Sequence, residues 1–67
     1  MKDYKFCNRL KYIRERAGMT QTELEQKGDF PAKLISYYEA GTRVPGLANI
    51  KSLIRALGCS ANELLEE

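Results

Sequence analysis

The side chains that could catalyse a reaction or hold a metal ion are few in this sequence. Cys7 and Cys59 lie near opposite ends of the chain, no Cys-x-x-Cys pair occurs, and histidine is absent. Zinc sites need clustered cysteine and histidine ligands, and acid–base or nucleophilic catalysis most often relies on a histidine beside the reacting group. We therefore expect no metal, no cofactor and no enzymatic activity, with both cysteines as reduced, partly buried thiols.

Basic side chains are concentrated at the start of the chain, where they could bind phosphate. The net charge is only +2, but residues 1–16 hold six basic and two acidic side chains. A basic helix attracts nucleic-acid phosphates, although a solvent-exposed helix face has the same composition. The charge pattern alone leaves both interpretations open.

The length and composition predict one small globular domain spanning residues 1–67. Of the 67 residues, 43% are hydrophobic and 30% are charged, which is typical of a globular protein and not of a disordered segment. No apolar run approaches the roughly 20 residues of a membrane span, and the first residues lack the hydrophobic stretch of a signal peptide. We therefore expect a cytoplasmic protein that does not contact a membrane.

The elements that must position any binding side chain are predicted to be helices. Apolar residues near the start recur at the spacing of one helix face: Phe6, Leu10, Ile13 and Ala17. The first helix should therefore run from about Asp3 to Ala17, with Gly18 as its C-terminal cap. A second, short helix should start at the capping box Thr20–Glu23 and end near Lys27.

A third helix is expected after a break at Gly28 and Asp29, because both residue types tolerate positive φ. Proline suits the first turn of a helix, where its missing N–H costs nothing. The third helix should accordingly run from about Pro31 to Ala40 and be closed by Gly41.

Two further helices complete the predicted architecture. A broad apolar stripe marks the fourth helix: Leu47, Ile50, Leu53, Ile54 and Leu57. Gly58 should end this helix, and the capping box Ser60–Glu63 should start a fifth. No segment alternates with the period of a strand, so the sequence predicts an all-α fold of five short helices.

The second and third predicted helices form the pattern of a helix-turn-helix unit. Two short helices joined by about three turn residues can place the second helix in the DNA major groove, which is about 12 Å wide, while the first crosses the backbone. A plain helical hairpin packed into a core fits the same pattern. The spacing alone therefore does not decide between DNA binding and a structural role.

Three segments resemble the Cro and phage-repressor helix-turn-helix family, also called the XRE or lambda-repressor-like family. They are RERAGMTQTEL at Arg14–Leu24, ISYYEAGTRVP at Ile35–Pro45 and LIRALGCSANELL at Leu53–Leu65. The segments occur in the family's order and spacing, and the similarity extends over about residues 10–65. The resemblance implies a lambda-repressor-like fold and a function in binding double-stranded DNA.

The resemblance also implies which residues contact DNA. Gln21, at the start of the second helix, corresponds to a position that hydrogen-bonds a phosphate. The base-reading positions of the family fall on Ala32, Lys33 and Tyr37 of the third helix, with Ser36 on the adjoining face. Lys33 can donate to guanine, Ala32 can touch a thymine methyl group, and Tyr37 can offer its ring or its hydroxyl.

Further positions of the family support the site from both sides. Thr42 and Arg43 occupy the loop that contacts the DNA backbone, where a hydroxyl and a guanidinium suit phosphate. Arg14 and Glu39 correspond to a pair that links the first helix to the end of the third. Four apolar or aromatic residues are expected in the core beneath the site: Leu10, Leu24, Ile35 and Tyr38.

The sequence departs from the family around the turn of the helix-turn-helix unit. Glu25 stands where alanine is usual, Gly28 where an apolar residue is usual, and Asp29 where glycine is usual. We expect Glu25 either to turn outward or to spread the two helices. Pro31 replaces a serine or threonine cap and removes one backbone amide that could face phosphate. These changes affect the predicted angle of the third helix.

The family resemblance favours a transcriptional regulator, with repression of a partly palindromic operator by a homodimer as the implied mechanism. A single module of this size buries only roughly 600 to 1,000 Å² on DNA, and dimerisation doubles that area. In the family the dimer surface lies around the fourth and fifth helices. Leu47, Leu64 and Leu65 are therefore candidates for it, or else ordinary core residues.

A protein-interaction module is the alternative function. The chain could be an antitoxin or a modifier-system controller whose main partner is another protein, because one fold can host several functions. The acidic residues Glu63, Glu66 and Glu67, together with the departure at Glu25, keep this alternative open.

Overall fold

Five α-helices make up the computed structural model, which describes residues 4–65 and the side chains of residues 6–65. They are α1 (Tyr4–Arg16), α2 (Gln21–Gly28), α3 (Leu34–Ala40), α4 (Leu47–Leu57) and α5 (Ala61–Leu65). Within the described residues there is no strand, so the all-α prediction is confirmed. None of these helices has the length and apolar character that crossing a membrane would require. The predicted start of the first helix at Asp3 lies outside the described residues.

The predicted capping boxes start α2 and α5. The Thr20 hydroxyl accepts from the Glu23 N–H at 3.0 Å, and the Glu23 carboxylate accepts from the Thr20 N–H at 2.8 Å. Ser60 and Glu63 repeat this exchange at 3.1 and 3.0 Å. Each box satisfies donors that a helix start would otherwise leave unpaired. Both boundaries therefore follow from local sequence.

Glycines in the left-handed conformation follow three of the helices. Gly18, Gly41 and Gly58 have φ values of +77°, +79° and +67°. Glycine adopts this conformation without the steric cost of a Cβ atom. The predicted C-terminal caps of α1, α3 and α4 are thereby confirmed.

The third helix begins at Leu34, and the predicted start at Pro31 is wrong. Lys33 has a φ of +70°, which a right-handed helix cannot contain, and the Leu34 N–H donates to the Pro31 carbonyl at 3.2 Å. Residues 31–33 therefore form a turn ahead of the helix. As a result, Ala32 and Lys33 precede α3, whereas the sequence had predicted them within it.

One fully buried residue from each helix forms the centre of the core. These residues are Leu10, Leu24, Ile35, Leu53 and Leu64. Phe6, Ile13 and Tyr38 are buried around them, and the Phe6 and Tyr38 rings meet edge to face with centroids 6.5 Å apart. The predicted core positions beneath the site are confirmed. Leu64 is buried inside this core, which supports the second of its two predicted roles, that of an ordinary core residue.

The turn between α2 and α3 explains two of the departures from the family. Asp29 has a φ of +58° and takes the left-handed position expected of glycine, while Gly28 remains within α2. A Cβ atom added at Gly28 would collide with the Phe30 ring, at 2.7 Å from its Cδ2. Phe30 packs partly against the core. Its ring thus lies against the side of Gly28 where a side chain would project.

Glu25 does not turn outward, although that was one of the two expectations. It is 8% exposed and lies in the second half of α2. No buried side-chain nitrogen or oxygen atom in the described part of the chain lacks a hydrogen-bond partner. The Glu25 carboxylate is therefore not a fully buried, unpaired polar group.

Candidate nucleic-acid interface

A buried ion pair joins α1 to the end of α3. Arg14 donates from Nε to Glu39 Oε2 at 2.6 Å and from Nη2 to Oε1 at 3.2 Å. The two side chains are only 10% and 7% exposed. Two parallel hydrogen bonds between a guanidinium and a carboxylate fix both position and orientation. The pair therefore holds the C-terminal end of α3 at a defined place on α1.

The same pair also positions the start of α2. Gln21 donates from Nε2 to Glu39 Oε1 at 3.0 Å, and Arg14 Nη1 donates to the Met19 carbonyl at 2.8 Å. The hydrogen bond with Glu39 raises the pKa of Arg14, so the guanidinium stays charged. Glu39 consequently links all three helices that support the predicted DNA surface.

Gln21 is half-buried and lies at the first position of α2. Its amide nitrogen carries two hydrogens, of which the contact with Glu39 uses one. The other can donate to a phosphate without breaking the network. Sequence reasoning placed Gln21 at the DNA backbone but did not anticipate its bond to Glu39.

The exposed side of α3 carries an aromatic ring with a cation stacked on it. Tyr37 is 40% exposed, and the Arg43 guanidinium carbon lies 4.8 Å from its ring centroid. Cation–π contact of this kind restricts both side chains before any ligand arrives. The sequence predicted each residue separately as a DNA contact. Their mutual contact was missed because it depends on how the loop after α3 folds back.

The remaining predicted base-reading residues lie at the start of α3. Lys33 and Ala32 are exposed in the preceding turn, and Ser36 is half-buried in the first turn of the helix. The Tyr37 N–H donates to the Lys33 carbonyl at 3.1 Å, which places these two residues one helical turn apart. Lys33, Ser36 and Tyr37 therefore lie within one helical turn of each other at the N-terminal end of α3.

Thr42 caps the C-terminal end of α3. Its hydroxyl donates to the Tyr37 carbonyl at 3.1 Å, and its N–H donates to the same oxygen at 3.0 Å. The hydroxyl hydrogen is thus engaged within the protein, leaving the oxygen as an acceptor. Arg43, the next residue, is exposed and carries the positive charge that suits a phosphate.

Like the bond between Gln21 and Glu39, a hydrogen bond between α3 and α4 was not predicted from the sequence. Asn49 of α4 donates from Nδ2 to the hydroxyl of buried Tyr38 at 2.8 Å. This bond spans the loop between α3 and α4, and no local pattern indicates it. It satisfies the Tyr38 hydroxyl and joins α3 to α4.

The basic residues of α1 are partly committed to contacts within the protein. The Arg9 and Arg16 guanidinium carbons each lie 5.3 Å from the Tyr12 ring centroid. Arg9 donates to the Glu63 carbonyl at 3.1 Å, and Arg16 lies 3.4 Å from the Glu63 carboxylate. Two of the cations in the basic segment thus hold α5 against α1. This observation favours a structural role for that part of the segment.

Glu63 should make the attachment of α5 sensitive to acid. The Ser60 N–H, and then Arg16, lower the pKa of the Glu63 carboxyl below its ordinary value of 4.5. Its stabilising contribution is therefore present above pH 4.5 and is lost as the pH falls through the lowered value. We expect Glu63→Gln to flatten the dependence of unfolding free energy on pH below 4.5, measured by urea denaturation. An unchanged slope would contradict this assignment.

Both cysteines are half-buried thiols, as predicted. Burial, and then the charge of Glu63, raises the pKa of the Cys59 thiol. A raised pKa keeps this sulfur in its protonated, weakly reactive form.

The sequence matches one known protein family over most of its length. A family model described as "Helix-turn-helix" matches residues 10–64. The chain belongs to the helix-turn-helix family. Within that family it is of the Cro/phage-repressor, or XRE, type, and it is a DNA-binding transcription regulator. The resemblance inferred from Arg14–Leu24, Ile35–Pro45 and Leu53–Leu65 is confirmed.

Solved structures show the same fold over nearly the whole of this helix-turn-helix protein. The restriction-modification controller protein C.AhdI from Aeromonas hydrophila is 31% identical, with a TM-score of 0.86 over 91% of this chain and 92% of that one. A hypothetical transcription factor, NHTF, from Neisseria is 26% identical, with a TM-score of 0.87 over 92% of this chain and 71% of that one. No curated protein matches the sequence.

Proposed function

We propose that this helix-turn-helix protein represses transcription by binding a partly palindromic operator as a homodimer. The observation that carries the proposal is an exposed surface of Lys33, Tyr37 and Arg43 beside a buried Arg14–Glu39 pair. A rigidly supported, basic and aromatic surface on a short helix suits the major groove. The surface side chains are available to DNA, while the helix beneath them is held in place.

The proposed contacts divide into two kinds. Tyr37 and Lys33 read base edges, with Ser36 and Ala32 beside them, whereas phosphate contacts fix the register of the protein on the duplex. Phosphates are bound by Gln21 and Arg43. The Thr42 hydroxyl and N–H both donate to the Tyr37 carbonyl, so Thr42 has no free donor for a phosphate unless its hydroxyl is released from that carbonyl.

Two considerations support dimerisation. A dimer doubles the area buried on DNA, and two apolar side chains are exposed. Val44 and Leu47 are 80% and 70% exposed and flank the start of α4. Adjacent exposed apolar residues on a small protein commonly mark an interface. We assign Leu47 to the dimer surface together with Val44, and Leu65, which is partly buried against the core, to its edge.

Control of a restriction–modification system is the second candidate function. The 31% identity to C.AhdI over nearly the full length of both chains supports it. A controller acting through DNA and a module acting through a protein partner differ in one measurable respect. The first forms a specific DNA complex whose affinity falls steeply with salt, and the second forms none.

Substitution of the base-reading residues tests the proposed recognition. Lys33→Ala and Tyr37→Ala should each cost about 1 to 3 kcal/mol at individual base positions, because a specific contact is lost there. Binding to a set of single-base operator variants measures this effect. The discrimination should relax at one or two positions and remain at the others.

Substitution of the phosphate-binding residue should behave differently. Arg43→Ala should weaken binding to all sequences and reduce the slope of log affinity against log salt by about 0.9, the value for one phosphate contact. Lys27→Ala is the matched control. It also removes one positive charge, but from the C-terminal end of α2, at the other end of that helix from Gln21. The assignment is wrong if Arg43→Ala alters sequence preference while Lys33→Ala changes neither affinity nor preference.

A further inference from the structure

A cavity between α2 and α4 lies apart from the proposed DNA surface. It has a volume of about 300 Å³, and its lining consists of Lys27, Gly28, Asp29, Ser52, Arg55 and Ala56. This volume is at the lower end of the range for small-molecule sites. Gln21, at the DNA-facing end of α2, is seven residues from Gly28, or roughly 10 Å along the helix axis.

The charged groups around this cavity have no partners of their own. In residues 4–65 the side chains of Lys27, Asp29 and Arg55 form no hydrogen bond or salt bridge, although all three line the same cavity. Ser52 donates its hydroxyl to the Ala48 carbonyl at 3.2 Å, so its oxygen remains an acceptor. Two cations and two acceptors therefore face one small volume.

From this arrangement we infer that the cavity binds a small phosphomonoester that also carries an ammonium group. Lys27 and Arg55 pair with the phosphate, while the Asp29 carboxylate and the Ser52 oxygen accept from the ammonium. The lining has a net charge of about +1, and a dianionic phosphate with one ammonium has about −1, so the complex is neutral. An amino-acid zwitterion would leave the positive charge uncompensated.

The backbone at the cavity is fixed by the end of α2. Gly28 and Asp29 both line the cavity, and Asp29 is held in the left-handed conformation that ends the helix. The bound molecule would contact the first residue of the turn that leads to α3. The inference does not depend on DNA binding, because binding at this site can be measured without DNA.

Amide chemical-shift titration of the full chain tests the inference, using phosphoethanolamine, inorganic phosphate and ethanolamine as separate probes. Phosphoethanolamine should shift the amide signals of residues 27–29 and 52–56 in a saturable manner. The dissociation constant from this titration should be lower than that of inorganic phosphate. Ethanolamine should produce no saturable shift. Lys27→Gln and Arg55→Gln should each weaken the binding about tenfold, because each removes a charge-assisted hydrogen bond.

Lys51→Gln provides the matched control, since Lys51 is exposed on α4 but does not line the cavity. It should leave phosphoethanolamine binding unchanged. The inference is overturned by absence of a saturable shift, or if Lys27→Gln and Arg55→Gln bind phosphoethanolamine as tightly as the parent protein does. It is also overturned if the shifts fall on residues 33–43, because the phosphate would then be binding at the proposed DNA surface.

Discussion

Glu39→Ala is expected to lower the free energy of unfolding by about 3 kcal/mol, because it leaves the Arg14 guanidinium buried without its carboxylate. Arg14 is only 10% exposed and would lose two hydrogen bonds, while Gln21 would lose one. At about 0.05–0.15 kcal/mol per residue, a domain of this size has only several kcal/mol of stability in total. Urea denaturation should therefore show a much lower midpoint.

Glu15→Ala is the matched control for this prediction. The Glu15 carboxylate lies 3.9 Å from Arg14, but it is 58% exposed. Exposed ion pairs contribute about 0 to 1 kcal/mol, so this variant should be nearly as stable as the parent. Equal losses in the two variants would show that burial does not set the value of the pair.

Replacing both partners should recover much of the lost stability. In Arg14→Met with Glu39→Leu neither charge of the pair is left buried, and apolar replacements of buried ion pairs are often neutral or stabilising. The double variant should still bind DNA less tightly, because Gln21 loses the acceptor that positions it. Unfolding and DNA titration of the same sample separate the two effects.

Gly28→Ala is expected to destabilise the protein by about 1 to 3 kcal/mol, although alanine is the better helix former. Helix propensity alone would stabilise α2 by roughly 1 kcal/mol. The added Cβ would, however, collide with the Phe30 ring, at 2.7 Å from its Cδ2. Since Phe30 packs partly against the core, moving the ring costs more than the propensity gains.

The effect of Gly28→Ala on stability should reverse when the Phe30 ring is removed, and this reversal tests the explanation for Gly28. In a Phe30→Ala background the ring is absent, and Gly28→Ala should then stabilise the protein by up to about 1 kcal/mol. A thermal or urea double-mutant cycle measures this difference. If Gly28→Ala stabilises the parent protein as well, the contact with Phe30 does not explain the glycine.

Local sequence predicted the helix boundaries where the signal is itself local. The capping boxes at Thr20–Glu23 and Ser60–Glu63 and the glycine caps each involve residues close together in the chain. The core was also predictable, because one apolar position per helix meets at the centre. These features required no knowledge of tertiary contacts.

The start of α3 was not predictable in the same way. Proline fixes a φ near −65° both in the first turn of a helix and in a tight turn, so Pro31 fits either structure. The distinction depends on the left-handed Lys33 and on Phe30 packing over Gly28. Neither feature has a signature in the local residue pattern.

The sequence predicted which residues form the candidate site, but it did not predict the contacts that these residues make with one another. The family resemblance supplied Lys33, Tyr37 and Arg43, but not the stacking of Arg43 on Tyr37. It also did not indicate that the Thr42 hydroxyl caps α3. Both contacts form across the end of a helix, where the path of the loop decides which side chains meet.

Selection of bound sequences from a random DNA pool tests the central claim most directly. If a symmetric dimer binds DNA through its two α3 helices, one motif with two inverted half-sites should be enriched. The centres of the half-sites should be about one helical turn of DNA, or a multiple of it, apart. The Tyr37→Ala variant should enrich a motif with relaxed preference at one or more positions of each half-site. Absence of any enriched motif with the folded parent protein would contradict the account.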